Sequence, residues 1–435
     1  MAEPVNVLIT GATGFLGGHL VDACLREGHQ VRALVRAGSD TARLRSLPGV
    51  ELAVADLTDQ GDKALRAATE GCDTVLHSAA RVVDHGSRAQ FHQANVAGTQ
   101  RLLAAARAAG TARFVFVSSP SALMRVREGD RLGIDESTPY PTRWFNLYCE
   151  TKALAEQYVL AANTREFTTC ALRPRGIWGP RDHAGFLPRM VAAMHAGRLP
   201  DLSGGKRVLV SLCHSDNAVD ACLKAAAAPA ERVGGRAYFI ADREETDLWA
   251  FLTHVGGLFG CEPPGPRVPL AAGRALAGAV ETLWRLRPGP TPTGPPLSRY
   301  TMALLTRSTT YDTTAAHRDL GYEPPRRQAD GVRELRRWVE TIGGIKAWTH
   351  PATTPPASAA PATTLAPPAS AAPATTLAPP ASAAPATTLA PAATLAPAAP
   401  AAPATAVAPA TAPTAAARAG DVAAPVRTDQ RGTSR

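Results

Sequence analysis

The chain has 435 residues, of which 45% are hydrophobic, so it is long enough to bury the core of one large domain or of two moderate ones. Its formal net charge is +9, but the basic residues are scattered in short pairs and form no patch typical of nucleic-acid binding. The composition therefore argues against a nucleic-acid partner and favours an anionic small-molecule ligand.

The seven cysteines have no spacing typical of a zinc site or of a Cys-x-x-Cys redox pair, so we expect no metal site and no disulfide framework. This usage is typical of a reducing compartment and predicts buried thiols and a cytoplasmic location. The chain begins with a strand-like run rather than a signal sequence, and no apolar stretch reaches the about 18 residues that a membrane span needs.

Strand-like and helix-like segments alternate along the first part of the chain, which predicts βαβ units in a parallel sheet with helices on both faces. The predicted strands are 5–9, 30–35, 51–55, 74–78, 114–117 and 169–172, and the predicted helices are 15–27, 90–109 and 146–162. This is the pattern of an α/β fold with a doubly wound Rossmann sheet. Ligands bind such sheets at the carboxyl ends of the strands.

The later part of the chain is less regular. It contains predicted helices at 185–197 and 215–227, a predicted strand at 207–213, and apolar segments at 237–241, 247–259, 271–286 and 331–341. We assign residues 1–180 to a dinucleotide-binding Rossmann domain whose sheet is completed by later segments. Residues 181–345 are assigned to a smaller substrate-binding lobe that closes over the cofactor.

The composition changes sharply near His350. Beyond it Pro, Ala, Thr and Ser dominate, and a twelve-residue unit that begins Pro-Pro-Ala-Ser is repeated three times in tandem from Pro355 to Ala390. Such a segment buries too little apolar surface to offset its chain entropy. We predict that residues 350–435 are a disordered tail that acts as a tether.

A glycine-rich loop from Thr10 to Gly17 lies between the first predicted strand and the first predicted helix. Gly11 allows a tight turn, Gly14 lets the backbone approach a pyrophosphate, and Gly17 allows close packing of helix and strand. The helix N-terminus also attracts an anion, so the loop is predicted to bind a dinucleotide. The predicted binding residues are Gly11, Thr13, Gly14, Phe15, Leu16 and Gly17.

The end of the second predicted strand bears on the choice of cofactor. Enzymes that use NAD usually have a carboxylate there, which binds the ribose 2′-hydroxyl, whereas this strand is followed by Arg36. A guanidinium suits a 2′-phosphate, so the sequence favours NADP, with NAD left open. Asp56 and Leu57, after the third strand, are predicted to meet the adenine.

Tyr148 and Lys152 are four residues apart on a predicted helix, which puts them on one face. A nearby ammonium favours the phenolate form and lowers a tyrosine pKa that is ordinarily about 10. Tyr148 is therefore predicted to be a general acid or base. A hydroxyl that stabilises charge on the substrate oxygen is expected after the fifth strand, and among Ser118, Ser119 and Ser121 we favour Ser119.

These motifs together resemble those of the extended short-chain dehydrogenases/reductases, the superfamily of NAD-dependent epimerases and dehydratases. The resemblance covers residues from about 5 to about 341 and includes Thr10–Gly17, Asp56-Leu57, His77–Ala80, Asn95–Thr99, Ser118-Ser119, Tyr148 with Lys152, and Leu172–Pro180. It implies catalysis by Ser119, Tyr148 and Lys152. It also implies that Ala79 and Pro174 border the nicotinamide.

Within that superfamily the chain looks most similar to the 3β-hydroxysteroid dehydrogenase branch, which includes sterol-4-carboxylate 3-dehydrogenases and 2-alkyl-3-oxoalkanoate reductases. The segments Val117–Ser121, Leu172–Asp182 and Leu304–Ser308 carry that similarity. It implies hydride transfer between a nicotinamide and a ketone or secondary alcohol on a bulky apolar substrate. No acidic pair follows Ser119, although dehydratases of nucleotide sugars need one.

Two other functions stay open. One is a nucleotide-sugar epimerase or reductase, against which the missing carboxylate after the second strand counts. The other is a non-catalytic dinucleotide-binding sensor or scaffold, which would be expected to lose the Tyr148–Lys152 pair. Partners beyond a small-molecule substrate are also open: residues 271–286 suit either a lid helix or a peripheral membrane contact, and a multi-enzyme contact and a homodimer are further alternatives.

Overall fold

The computed structural model describes residues 4–59, 61–83, 86–286, 295 and 297–350. The predicted disordered tail lies, apart from His350, outside the described residues. The strands in chain order are β1 (Asn6–Thr10), β2 (Gln30–Val35), β3 (Val50–Val54), β4 (Thr74–His77), β5 (Arg113–Val117), β6 (Arg131–Ile134), β7 (Thr168–Pro174), β8 (Ile177–Trp178), β9 (Pro200–Asp201), β10 (Leu209–Ser211), β11 (Cys213–His214), β12 (Arg236–Ile240), β13 (Glu245–Asp247), β14 (Gly265–Arg267) and β15 (Thr309–Tyr311).

The α-helices are interspersed with these strands. In chain order they are α1 (Phe15–Arg26), α2 (Ala42–Arg45), α3 (Asp62–Thr69), α4 (Arg88–Phe91), α5 (Gly98–Ala108), α6 (Leu147–Ala161), α7 (Phe186–His195), α8 (Ser215–Ala227), α9 (Ala230–Val233), α10 (Leu248–Gly257), α11 (Leu270–Arg285), α12 (Arg299–Thr306), α13 (Thr314–Leu320), α14 (Gln328–Thr341) and α15 (Ile345–Thr349). None of the helices in the described ranges is both long and apolar enough to cross a membrane.

Seven parallel strands form the main sheet in the order β12-β7-β5-β4-β1-β2-β3. The order reverses between β1 and β4, as it does in doubly wound sheets, so the predicted Rossmann architecture is confirmed. The seventh strand, β12, comes from the later part of the chain and pairs with β7. The main sheet thus includes one strand from the later part of the chain.

Side chains of the central strands alternate between two buried layers, which explains their nearly continuous apolar sequences. In β5, Val115 and Val117 face the layer that contains α1 and α8, whereas Phe114 and Phe116 face the layer that contains α3, α5 and α6. The seven cysteines are free, and their burial agrees with the prediction of buried thiols. Burial on both faces leaves the strand ends as the place for polar chemistry.

The later part of the chain has its own core around Trp178, built mainly from α7, α10, α12 and α14. A second sheet, in the order β13-β10-β15-β6, joins this part to the segment after β5. The described residues of both parts belong to one structural unit. The division at residue 180 therefore remains a prediction about lobes within that unit.

Two segments differ from their predicted form. Residues 90–109, predicted as one helix, form α4 and α5 with a π-helical segment (His92–Ala97) between them. Residues 207–213, predicted as one strand, are divided between β10 and β11, which belong to different sheets. Periodicity alone predicts neither the π-helical segment nor a change of sheet, because both are set by tertiary contacts.

Candidate active site

The residues predicted to form the site come together at one edge of the main sheet, because the carboxyl ends of parallel strands share an edge. Each follows or ends a different strand: the glycine loop follows β1, Arg36 follows β2, Asp56 and Leu57 follow β3, Ala79 follows β4, Ser119 follows β5, and Pro174 ends β7. Tyr148 and Lys152 are on α6, which packs against the turn after β5.

The glycine loop leaves no room for side chains at two positions. Gly11 has a φ of +71°, and a Cβ there would lie 2.9 Å from Ser78 Oγ. A Cβ on Gly17 would lie 2.0 Å from the carbonyl oxygen of Gly11. Gly14 caps α1 without any side-chain hydrogen bond. The first turn of α1 thus keeps backbone N–H groups available for an anion, and the loop fits the pyrophosphate of a dinucleotide.

Thr10 and His77 join the ends of β1 and β4 beneath this loop. Thr10 Oγ1 lies 2.7 Å from Nδ1 of His77 and accepts the N–H of Ala79, while Ser78 Oγ donates to the carbonyl oxygen of Thr10. Nε2 of the same histidine lies 2.9 Å from Thr99 Oγ1 on α5. Burial, and then the nearby Lys152, lowers the pKa of His77 to about 3, so the ring is neutral. Sequence reasoning named His77 only within a motif and missed this link.

Arg36 and Arg32 have different surroundings. Arg32 donates to the Glu51 carboxylate at 2.8 Å and to the carbonyl oxygen of Glu70 at 2.6 Å, so it links β2 to β3 and to the end of α3. Within the described ranges Arg36 is exposed, and no side-chain partner is found for it. Asp56 Oδ1 accepts hydrogen bonds from both the N–H and the hydroxyl of Thr58 and thereby holds the turn after β3.

Lys152 is buried, and its Nζ donates to the carbonyl oxygen of Val117 at 2.5 Å. The same ammonium lies 4.2 Å from the centre of the Phe116 ring. Burial lowers the pKa of Lys152 to about 7, although the Glu156 carboxylate opposes that shift. The lysine therefore ties α6 to the end of β5. Its ammonium loses its proton far more readily than a lysine ammonium in water.

Tyr148 follows the first residue of α6, whose start is fixed by Asn146: the Asn146 side chain accepts the N–H of Cys149 at 2.9 Å. Burial raises the pKa of Tyr148 to about 12, although a hydrogen bond with the Ser119 side chain opposes that shift. The expectation that Lys152 lowers this pKa is wrong for this structure. Burial raises the pKa of Tyr148 by more than the opposing effect lowers it, and the opposing effect comes from the Ser119 side chain.

Ser119 is held in the turn that follows β5. Its Oγ accepts the N–H of Ser121, and the turn continues as one turn of 3-10 helix (Pro120–Leu123). The hydroxyl of Ser121 lies 2.8 Å from the hydroxyl of Tyr300 on α12. The structure thus brings Ser119, not Ser118 or Ser121, to the phenol of Tyr148. Tyr300, which no sequence motif singled out, connects the later part of the chain to this turn.

One turn beyond Lys152, Glu156 lies completely buried beside Arg173 of β7. Nη2 of Arg173 donates to Oε1 of Glu156 at 2.6 Å, and Nε donates to Oε2 at 3.0 Å. The hydroxyl of Tyr140 also donates to Oε1, at 2.5 Å. This network holds α6 against β7. It therefore fixes the position of the helix that carries Tyr148 relative to the Arg173-Pro174 segment.

A cleft opens beside the Ser119 turn. Its walls come from the residues after Ser119, from the segment after β7, and from α12 and β15, and they include Pro120, Ser121, Leu123, Met124, Ile134, Arg175, Leu304, Arg307 and Tyr311. Leu123, Met124, Ile134 and Leu304 supply apolar walls, whereas Glu128, Arg131, Arg175 and Arg307 supply charged ones. The cleft therefore offers both apolar and charged contacts to a molecule that enters beside the Ser119 turn.

Comparison with known proteins identifies a family model and several relatives that match this chain. Residues 8–270 match the model of the 3-beta hydroxysteroid dehydrogenase/isomerase family. The chain is 38% identical over 334 residues (77% of this chain, 96% of the relative) to 4-hydroxy-2-methyl-3-oxo-4-farnesyl-3,4-dihydroquinoline-1-oxide ketoreductase of Stigmatella aurantiaca. It is 35% identical over 338 residues (76% and 98%) to 2-alkyl-3-oxoalkanoate reductase of Stenotrophomonas maltophilia (strain K279a).

Among solved structures the fold is similar to that of DesIV, a dTDP-glucose 4,6-dehydratase from Streptomyces venezuelae determined with NAD and TYD bound. The TM-score is 0.61 at 21% identity, over 80% of this chain and 99% of the other. This likeness concerns the fold alone, which serves many chemistries.

Proposed function

The chain belongs to the 3-beta hydroxysteroid dehydrogenase/isomerase family of oxidoreductases, which act on hydroxyl and keto groups, and we propose that Tyr148 is its general acid and base. The observation that carries this proposal is that the buried Tyr148 phenol lies close enough to the Ser119 side chain for that side chain to lower its pKa, at the carboxyl edge of the sheet. The glycine loop lies at the same edge.

The glycine loop would hold a nicotinamide dinucleotide, and that cofactor would supply or accept the hydride. In ketone reduction, Ser119 and Tyr148 donate hydrogen bonds to the substrate oxygen, and Tyr148 transfers its proton to that oxygen as negative charge develops there. A phenol with a pKa of about 12 is fully protonated at neutral pH and is therefore ready to act as the acid. Lys152 positions the helix that carries this phenol through its bond to Val117.

The substrate is proposed to be a ketone or a secondary alcohol on a bulky, largely apolar molecule. The apolar part of the cleft beside the Ser119 turn, formed by Leu123, Met124, Ile134 and Leu304, supports this. The names of the relatives describe ketones that carry farnesyl or alkyl groups, and the family is named for hydroxysteroids. These molecules share a carbonyl or carbinol next to a large apolar body.

NADP is the proposed cofactor, with Arg36 as the residue that binds its 2′-phosphate. Arg36 is exposed at the carboxyl end of β2, and its guanidinium is free to form a bidentate pair with a phosphate. Arg32 is already engaged by Glu51, so Arg32→Gln is a matched control for Arg36→Gln. Arg36→Gln is expected to raise the KM for NADPH about tenfold or more and to leave that for NADH unchanged.

The experiment that tests this function follows the absorbance of NADPH and NADH with the purified full-length chain. The substrates are sterol ketones, hydroxysterols, 2-alkyl-3-oxoalkanoates with their hydroxy acids, and nucleotide sugars. We expect turnover of an apolar ketone or alcohol with NADPH as the better cofactor. Epimerisation of a UDP-sugar without added cofactor, with no turnover of apolar substrates, would contradict the proposal.

A further inference from the structure

Ser121, in the turn after β5, is held both at its backbone and at its side chain. Its N–H donates to Oγ of Ser119 at 3.2 Å. Its own Oγ lies 2.8 Å from the hydroxyl of Tyr300 on α12. Because Ser121 is part of a single turn of 3-10 helix (Pro120–Leu123), its backbone and its side chain move together. A contact that holds the Ser121 hydroxyl therefore also holds the N–H that Ser119 accepts.

This N–H decides what the Ser119 hydroxyl can do. A serine Oγ that accepts a backbone N–H keeps its own hydrogen free to donate. The Ser119 side chain is close enough to Tyr148 to lower the pKa of that phenol against the effect of burial. A hydroxyl donor stabilises a developing oxyanion only when it points at the place where the charge forms. The direction of the Ser119 hydroxyl thus depends on the position of Ser121.

Tyr300 is a fixed anchor for this turn, because α12 is held at both of its ends. At the start of the helix, Oγ of Ser298 accepts the N–H of Thr301 at 3.1 Å. Near its end, Nε1 of Trp249 on α10 donates to the carbonyl oxygen of Leu305 at 3.0 Å. Trp249 and Leu305 both belong to the core of the later part of the chain. The Tyr300 hydroxyl is therefore positioned by that core.

The surroundings of Tyr300 place it beside the catalytic helix. Its ring packs at 61° against that of Phe145, with 6.1 Å between the ring centres. Burial raises the pKa of Tyr300 well above its usual value, and Cys149 and Tyr148 on α6 add to that shift. The hydrogen bond to the turn and then Arg175, after β7, oppose it. The Tyr300 phenol therefore keeps its hydrogen at neutral pH and acts as a neutral hydrogen-bonding group.

We propose that Tyr300 is a positioning residue: its hydroxyl holds Ser121, and Ser121 in turn aims the Ser119 hydroxyl at the reacting oxygen beside Tyr148. This inference rests on the proposed function, to which it adds a residue that acts through the serine turn. Tyr300 needs no contact with the substrate in this role. The catalytic serine then depends on the later part of the chain, because α12 supplies the group that holds its turn.

Hydrogen exchange of the full-length chain tests the first step without any substrate. The Ser121 N–H, followed in a peptide that spans the turn, should exchange about tenfold faster in Tyr300→Phe, because the turn has lost one hydrogen bond. Tyr322→Phe is the matched control: the Tyr322 hydroxyl is buried and donates to the carbonyl oxygen of Ala241 at 2.7 Å. The control should leave exchange of the turn unchanged. Unchanged exchange in Tyr300→Phe would overturn the proposal.

A double-mutant cycle tests the second step. The probe is a 3β-hydroxysterol or a 2-alkyl-3-hydroxyalkanoate, whichever the wild type oxidises with NADP. Ser119→Ala should lower kcat about 100-fold. Tyr300→Phe should lower kcat about tenfold in the wild type but less than twofold in Ser119→Ala, since no hydroxyl is then left to aim. The Kd of NADPH should change less than twofold throughout.

Equal losses of kcat from Tyr300→Phe in both backgrounds would overturn the proposal, because Tyr300 would then act by a route that does not pass through Ser119. Thermal melting verifies folding. Should Tyr300→Phe fail to fold, Ser121→Ala supplies both readouts, since it removes the Oγ that Tyr300 holds and keeps the N–H that Ser119 accepts.

Tyr148→Phe, measured alongside, separates this inference from the proposed function. Loss of turnover in Tyr148→Phe with wild-type turnover in Tyr300→Phe would overturn the positioning role alone. Full turnover in Tyr148→Phe would contradict the proposed function. In that case exchange of the Ser121 N–H still decides whether Tyr300 holds the turn.

Discussion

Nζ of Lys152 lies 2.5 Å from the backbone carbonyl oxygen of Val117, the last residue of β5. The bond ties the helix that carries Tyr148 to the strand that leads into Ser119. Lys152→Met removes it and leaves a buried carbonyl oxygen unpaired. We expect kcat/KM to fall by about 100-fold or more, with a loss of about 1–3 kcal/mol in the free energy of unfolding.

The same variant has a pH signature. Because burial lowers the pKa of Lys152 to about 7 in the folded chain, the unfolded chain binds one more proton between about pH 7 and the ordinary lysine value of about 10.4. Stability contributed by this group therefore rises with pH across that window. Denaturant unfolding should show wild-type stability rising relative to Lys152→Met from pH 7 to pH 10, and a parallel course of the two proteins would contradict this.

The pKa of Tyr148 predicts how the two reaction directions depend on pH. Burial raises this pKa to about 12, with the Ser119 hydrogen bond opposing, so the phenol is protonated across the usual assay range. Because this phenol does not titrate between pH 6 and pH 9, the kcat/KM for ketone reduction should vary little across that range. Alcohol oxidation needs the phenolate, so its kcat/KM should rise about tenfold for each pH unit. Oxidation that levels off below pH 8 would argue against Tyr148 as the base.

The sequence predicts the main sheet well because both of its faces are buried, so its strands stand out as short apolar runs between turn residues. β2 and α8 have the bounds expected from the sequence. The second sheet could not be predicted in this way. Its strands, β6, β10, β13 and β15, have three to four residues each, and none of their pairs joins strands that are neighbours along the chain in a hairpin, so their pairing is set by tertiary packing.

The chemistry of the site was predicted in part. The Tyr148–Lys152 spacing and the serine turn each predicted site residues, and the fold places these residues next to one another. The pKa of Tyr148 could not be inferred from spacing, because it depends on how deeply the phenol is buried and on where the ammonium points. Likewise, nothing in the sequence indicated the buried pair that Arg173 forms with Glu156.

Glu156→Gln tests that pair. It leaves the Arg173 guanidinium, only 4% exposed, without its counter-charge in the protein interior. Breaking a buried pair by removing one partner typically costs about 3–5 kcal/mol, which thermal or denaturant unfolding would measure. Glu340→Gln is the control: its pair with Arg336 is on the surface, and its loss should cost less than about 0.5 kcal/mol. Equal effects of the two substitutions would show that the buried network adds little.

Gly17→Ala tests the glycine loop. The added Cβ would lie 2.0 Å from the carbonyl oxygen of Gly11, so the loop or α1 must shift. We expect the Kd for NADPH, measured by fluorescence titration, to weaken at least tenfold. That change corresponds to a loss of about 1.4 kcal/mol in binding free energy. Gly257→Ala, at the end of α10, is the matched control because nothing lies within 4 Å of its added Cβ. An unchanged Kd in Gly17→Ala would argue that the dinucleotide does not bind at this loop.

The proposal that Tyr148 moves the proton is tested most directly by Tyr148→Phe, measured for both kcat and the Kd of NADPH. The substitution removes one hydroxyl, so the fold and the glycine loop should be unaffected. We predict that kcat falls by about 100- to 10,000-fold, the range expected for loss of a general acid, while the Kd changes less than twofold. Turnover within a few-fold of the wild type, with the cofactor still bound, would contradict the account.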